Sequence, residues 1–160
     1  MKKYSGFLLM FALALLFPLS ATAAGQRDLH HNITASIAIP VTTSTDNTAV
    51  VGNIIDTREY GGIEFVLFSG TITDNTDTLT ALVEDGDDSA LSDAVAVSDA
   101  NLFGTEALAS FVGTEDDSVK FIGYKGTKRY VRLTVTPAIA TSAVFGAVVV
   151  QGHPKVVPTR

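Results

Sequence analysis

The sequence predicts an all-β protein, folded as a single β-sandwich of jelly-roll type with about seven or eight strands. Two observations lead to this fold class. Apolar residues come in short runs, and Gly, Asp and Pro separate these runs at roughly 8 to 15 residues. Several runs also alternate apolar and polar residues with a period of two, which is typical of strands with one buried face.

Residues 1–24 have the three parts of a signal peptide. The positive segment MKK precedes the apolar run FLLMFALALLFPL, and SATAA then offers small residues for cleavage after Ala24. The apolar run is shorter than the about 20 residues that a membrane span needs. We therefore predict a cleaved leader over 1–24, with an uncleaved anchor as the alternative, and a polar, flexible arm over 25–32.

The folded domain is predicted over 33–152, and its first strand is ITASIAI. The residues expected on one face of that strand are Ile33, Ala35, Ile37 and Ile39. Pro40 is expected to end the strand because proline has no N–H to donate. AVVGNII is the next candidate strand, and a turn with two glycines follows it.

The run IEFVLFSG is apolar at nearly every position. A period of two places Phe65 and Leu67 in the core and turns Val66 and Phe68 to the other face. Both faces of this strand are therefore expected to be at least partly covered.

Four strands are predicted in the second half of the domain: TLTALVE, VKFIGY, RYVRLTVT and SAVFGAVVVQ. RYVRLTVT alternates most regularly. Its inward and outward residues are predicted to be Val131, Leu133 and Val135, and Tyr130, Arg132 and Thr134, respectively. The segment 98–110 is either a helix weakened by Gly104 or an irregular crossover, and 153–160 is predicted to be a C-terminal tail.

Composition excludes several functional classes. Beyond the leader the chain has nine basic and 17 acidic residues, a net charge of −8, which disfavours binding to nucleic acid or to anionic membranes. Cysteine is absent, so disulfides, thiolate metal sites and cysteine nucleophiles are excluded. We expect no cofactor, no metal and no catalytic residues.

The stretch VEDGDDSALSDA, residues 83–94, concentrates five acids that are candidates for chemistry. An EF-hand needs Gly at its sixth position and Glu at its twelfth, and the loop that starts at Asp85 has neither. We interpret EDGDD as a turn in which Gly86 has positive φ and the acids cap backbone N–H groups. A looser calcium site at Asp85, Asp87 and Asp88 stays an alternative, as does a secreted hydrolase that uses the acids of 84–93.

Two further groups of residues are candidates for a site. His30 and His31 could meet His153 in a zinc-like trio, although their spacing has no helix or strand logic. A basic segment interrupts the acidic background: Tyr124, Lys125, Lys128, Arg129, Tyr130 and Arg132. It is either a contact surface for a protein partner or a charged hairpin that protects a sheet edge.

The strings IGYKGTKRYVRLTVTPA, NTAVVGNIIDT, LVEDGDDSALSDA, LFGTEALASF and GAVVVQGHP resemble a family of small β-rich structural proteins of tailed phages and prophages, encoded near the major capsid protein. The resemblance covers residues 27–160. It implies a virion structural protein of the capsid decoration or cement type, which oligomerises or binds the major capsid protein. It brings no catalytic residues.

The predicted leader and the resemblance imply different localisations. The resemblance implies the virion, whereas an export signal implies the periplasm or secretion. An exported adhesin or carbohydrate-binding module is therefore the alternative function, and it would use exposed aromatic residues such as Tyr60, Tyr124 and Tyr130.

Overall fold

A computed structural model describes residues 28–155. The predicted leader 1–24, the start of the arm and most of the predicted tail lie outside the described residues. No helix within residues 28–155 has the length and apolar character to cross a membrane.

The protein is all-β, with two antiparallel sheets. Sheet A contains β1 (Ile33–Ser44), β4 (Tyr60–Ile72), β7 (Leu102–Phe103), β9 (Val119–Tyr124) and β11 (Ala143–Pro154). The order of these five strands across the sheet is β1, β11, β4, β9, β7. Sheet B contains β2 (Val50–Val51), β3 (Ile55–Asp56), β5 (Thr78–Gly86), β6 (Val95–Ala96), β8 (Phe111–Val112) and β10 (Tyr130–Ala138). Of the eleven strands within residues 28–155, six have six or more residues and the other five have two.

One hydrophobic core contains residues from both sheets. The five residues predicted for it are all buried: Phe65, Leu67, Val131, Leu133 and Val135. Alternate residues of β4 and β10 are buried, which confirms the period of two that the sequence indicated.

Strand β1 differs from the prediction in two ways. It continues through Pro40 to Ser44, which is possible because β1 is the edge strand of sheet A and its proline needs no ladder partner there. Its pairing with β11 shifts register between Ile37 and Ile39. This irregularity buries Ala38 and Ile39 together and leaves Ile37 exposed, so the predicted single face is wrong.

The segment 98–110 forms no continuous helix. It contains a 3-10 turn at Asp99–Asn101, strand β7 and the one-turn helix α1 (Glu106–Ala109). Gly104, with φ of 87°, lies between β7 and α1, and Thr105 caps α1 by accepting the Leu108 N–H at 3.2 Å. The crossover alternative is therefore the one that the structure supports.

Two details of the last strands also differ from expectation. Thr134 shares the outer face of β10 with Arg132, as predicted, but it is only 6% exposed, and its hydroxyl donates to Glu84 Oε2 at 3.0 Å. The pairing of β11 with β4 extends to Pro154 opposite Tyr60, so the strand runs two residues into the predicted tail.

Candidate functional site

The acidic stretch 83–94 is partly strand and partly turn. Residues 83–86 are the end of β5, and the turn follows them. Asp93 organises this turn because its carboxylate accepts the N–H groups of Asp87 at 2.8 Å and Asp88 at 3.1 Å. These two backbone hydrogen bonds lower the pKa of Asp93, as expected for a capping carboxylate.

The predicted role of Gly86 is wrong. Gly86 is a buried strand residue without positive φ, and the left-handed position is Leu91, with φ of 51°. A Cβ atom at position 86 would lie 2.3 Å from Asp93 Oδ1, so a larger residue there would have to displace the capping carboxylate. The close approach of the capping carboxylate thus explains this glycine.

Three acids of this stretch pair with the basic segment. Glu84 binds Arg132 at 3.0 Å, and Asp87 binds Lys128 at 2.5 Å. Asp85 is 6% exposed and accepts the Tyr124 hydroxyl at 2.7 Å. These acids therefore form hydrogen bonds or ion pairs with side chains and backbone groups of the same chain.

Residues 28–155 contain no group of three or more His, Asp or Glu side chains that could hold a metal ion. His31 instead pairs with Asp28, with Nδ1 at 2.7 Å from Oδ2, and its ring packs edge-on against His30. The structure therefore does not assemble the histidine trio with His153.

The basic segment lies at one end of sheets A and B, and most of its charges are paired. Tyr124 is only 5% exposed, so its ring lies beneath the surface. Arg129 binds Asp56 at 2.9 Å, and this guanidinium lowers the pKa of Asp56 to about 2. Arg129 also stacks on the Tyr130 ring, with 4.8 Å between its Cζ and the ring centroid.

Lys125 is the exception in the basic segment. It is exposed, and its Nζ lies 4.9 Å from the centroid of the Phe103 ring. Its N–H donates to the Asn101 carbonyl at 2.9 Å, which fixes it beside β7. No carboxylate within residues 28–155 forms an ion pair with it.

The outer face of sheet A is apolar, and we call it the apolar face. The pairing of the strands places its residues side by side: Val66 lies between Val148 and Phe121, and Val148 in turn lies opposite Ile37. Four of its residues are more than half exposed: Phe103 at 62%, Phe121 at 59%, and Val119 and Ile37 at 55%, and Val41 on the neighbouring edge is 68% exposed. Exposed apolar groups of this size, contiguous across several strands, are typical of a surface that contacts another molecule.

The outer face of sheet B has the opposite character. Across the register of β5 and β10, Arg132 lies opposite Glu84 and Thr136 lies opposite Thr80. Antiparallel sheets commonly have one polar, solvated face, and sheet B follows this rule. The two outer faces of one domain therefore differ, and the apolar one is the candidate site.

Glu64 is a charged residue of the apolar face and lies on β4, the middle strand of sheet A. It lies between Val150 and Gly123 in the register of three strands, and within residues 28–155 its carboxylate has no hydrogen-bond or ion-pair partner. Burial raises the pKa of Glu64. It lines a depression of about 210 Å³ that Phe103, Val150 and His153 also line.

A second depression, of about 250 Å³, lies at the Lys125 end of the apolar face. Its aromatic lining consists of Tyr60, Phe103 and Tyr124. The Tyr60 hydroxyl donates to Thr34 Oγ1 at 2.8 Å, and the Tyr124 hydroxyl donates to Asp85. Two of the three tyrosines expected for a carbohydrate-binding surface therefore use their hydroxyl groups within the domain.

Sequence reasoning did not select the apolar face, although one signal was present. The unbroken run Phe65–Phe68 indicated that both faces of β4 are covered. The sequence could not say whether the second cover is another layer of the domain or another molecule, because that depends on which strands flank β4.

Replacement of Glu64 by glutamine is expected to stabilise the protein at neutral pH. The raised pKa means that folding disfavours the ionised form of Glu64. Ionised Glu64 therefore does not destabilise the folded protein below the ordinary glutamate pKa. Its destabilising effect grows as pH rises from that value and is complete above the folded-state pKa. The gain in Tm of Glu64→Gln over wild type should therefore be positive near pH 7 and shrink towards zero at about pH 3.5. Thermal melts of dilute protein at the two pH values measure it.

Glu59→Gln is the matched control, since the Glu59 side chain is 66% exposed. It should show no such stabilisation at neutral pH. His153, which lines the depression beside Glu64, is unchanged in all three proteins. A loss of stability in Glu64→Gln at pH 7, or a gain that is equal at both pH values, would contradict the prediction.

Comparison with protein-family models found no match for this chain, and comparison with curated proteins found none either.

Proposed function

We propose that this protein is a non-catalytic structural protein of the phage virion, of the capsid decoration or cement type that its sequence resemblance implies. The observation that carries the proposal is the apolar face, with Phe103, Phe121, Val119 and Ile37 more than half exposed. Aromatic residues and depleted charge are characteristic of the central part of protein interfaces. Such a face fits a protein that works by contact with other subunits.

We propose further that the two sheets form a sandwich of the jelly-roll type. The support is the order in which the chain uses the sheets. The long strands β4, β5, β9, β10 and β11 belong in turn to sheets A, B, A, B and A, and the first and last strands, β1 and β11, pair antiparallel. Alternation of this kind is expected of a jelly roll and of virion proteins built on it.

The positions of the acids support a non-catalytic role. Glu84, Asp85 and Asp87 each bind a side chain of the basic segment, and Asp93 binds backbone N–H groups. A glycosidase needs two carboxyl groups that face a substrate across a cleft. The hydrolase alternative would have to recruit acids that already stabilise the fold.

The basic segment is the proposed contact with the capsid. Lys125, Lys128 and Arg129 lie at one end of the domain, and the side chains of Lys128 and Arg129 are 44% and 40% exposed despite their ion pairs. Partly exposed cations of this kind steer association with an acidic partner surface. They stand out because the rest of the chain is acidic.

Charge reversal in the basic segment is expected to release the protein from virus particles. The test compares wild type with Lys128→Glu plus Arg129→Glu for co-sedimentation with assembled particles from an induced lysate. The variant should be largely lost from the particle fraction, because two attractive charges become repulsive, and raised salt should release the wild type as well.

Thr45→Glu plus Thr71→Glu is the control, since it introduces the same two glutamates at exposed positions of the opposite end of the domain. It should sediment with particles as wild type does, and all three proteins should melt cooperatively. Wild type that never sediments with particles and accumulates in the periplasm would overturn the virion proposal in favour of the exported binding module.

A further inference from the structure

Three side chains of different character lie in sequence along the apolar face. The carboxylate of Glu64 lies over Gly123, where a Cβ atom would approach Glu64 Oε2 to 2.6 Å and Phe103 Cβ to 3.1 Å. The Phe103 ring lies on the far side of Gly123, and the Lys125 ammonium lies against that ring. The face thus has an anion, an aromatic ring and a cation in contact order.

Both ends of this series lack a charged partner within residues 28–155. The other cations of the basic segment do have one: Lys128, Arg129 and Arg132 each bind a carboxylate. An unpaired and partly buried carboxylate is unfavourable unless something compensates it. Glu64 and Lys125 are therefore the two charges that an external partner would satisfy.

The geometry points to a second copy of this chain as that partner. We infer that two copies pack through their apolar faces about a two-fold axis that passes by Phe103, so that Glu64 of each copy pairs with the partner's Lys125. In a two-fold interface one patch is complementary to itself: if one residue contacts a second, the second contacts the first. Glu64 and Lys125 satisfy this condition if the axis passes by Phe103, because each charge then meets the opposite charge of the other copy.

The spacing of the three residues agrees with such an axis. Glu64 and Phe103 are two strand positions apart through Gly123, which is about 10 Å at ordinary strand spacing. Phe103 and Lys125 are one strand position and two residues apart, about 8 Å. The backbone positions of Glu64 and Lys125 are therefore nearly equidistant from that of Phe103, and a rotation of 180° about a line through Phe103 in the plane of the face exchanges them.

The remaining apolar residues explain why such a pairing would be stable. Phe121, Val119 and Val66 belong to the same face, and their removal from water supplies the attraction that the acidic net charge of each copy opposes. The two ion pairs then select this orientation among the possible apolar contacts. The inference adds self-association to the proposed structural function, and it rests on that proposal for the assumption that the protein is non-catalytic.

The test is an exchange of the two charges. Sedimentation equilibrium of the purified protein would compare wild type, Glu64→Lys, Lys125→Glu and the double variant Glu64→Lys plus Lys125→Glu. Wild type should be a dimer. Each single reversal should raise the dissociation constant at least about 10-fold because it places like charges together, and the double variant should return to within about 3-fold of wild type because the pairs form again with opposite polarity.

Thr45→Glu is the matched control, since it introduces a glutamate at an exposed position at the opposite end of the domain, and it should leave the dissociation constant unchanged. If Glu64→Lys fails to fold in a thermal melt, Glu64→Gln and Lys125→Glu decide instead, and both must weaken the dimer. A monomeric wild type, or a double variant as weak as the single ones, would overturn the inference. A wild-type dimer that never binds particles would overturn only the virion function.

Discussion

Replacement of Phe65 by alanine should lower the free energy of unfolding by about 3–5 kcal/mol, the usual cost of truncating a buried phenylalanine. Phe65 is 0% exposed and belongs to the core cluster that both sheets share. Loss of its ring removes apolar burial and leaves a cavity that the surrounding strands can only partly fill. Urea denaturation of dilute protein, followed by circular dichroism, measures the change.

Phe121→Ala is the matched control because it makes the same truncation on the other side of sheet A. Phe121 is 59% exposed, so little burial is lost in a single copy, and the free energy of unfolding of dilute protein should change by less than about 1 kcal/mol. Equal losses for the two variants would contradict the assignment of Phe65 to the core and of Phe121 to the apolar face.

Replacement of Tyr124 by phenylalanine should cost about 1–3 kcal/mol, the range for leaving a buried polar group without its partner. The Tyr124 hydroxyl donates to Asp85 Oδ2 at 2.7 Å and accepts the Lys128 N–H at 3.0 Å. Burial raises the pKa of Tyr124, and the bond to Asp85 raises it further. Without this hydroxyl, the buried Asp85 carboxylate loses its donor.

Tyr130→Phe serves as the control for this variant. Tyr130 is partly exposed and packs against Arg129 through its ring, and phenylalanine retains that ring. Its loss should stay within about 0.5 kcal/mol, as for ordinary surface substitutions. A Tyr124→Phe variant as stable as Tyr130→Phe would show that the Asp85 contact contributes nothing to the fold.

The sequence by itself determined the all-β class and the inward residues of the regular strands. Val131, Leu133 and Val135 are buried as predicted, because a period of two leaves a strand with one buried face little choice of orientation. The residues of β1 do not follow this alternation because the register of β1 with β11 shifts near Ile37. Such an irregularity depends on the neighbouring strand and has no signal within ITASIAI.

The roles of the charged residues could be predicted only in part. The sequence predicted that acids of the stretch 83–94 cap backbone N–H groups in a turn, and Asp88 and Asp93 do so, but it assigned the left-handed position to Gly86, whereas the structure has Leu91 in that conformation. It placed Thr134 on the outer face, as the structure has it, but it did not indicate that Thr134 is buried there beside Glu84. The pairing of β5 with β10 decides both the burial of Thr134 and the ion pair of Arg132 with Glu84, and this pairing joins segments about 50 residues apart.

Only the tertiary structure decided which surface is available to a partner. The sequence shows that both sides of β4 are apolar, but burial of a strand face depends on the layers around it. Phe65 lies against sheet B, while Val66, its neighbour in the chain, belongs to a face that no other layer of residues 28–155 covers. The core follows from the pattern along the chain, whereas the exposed face, with Glu64, Phe103 and Lys125 upon it, follows from the order of the strands in sheet A.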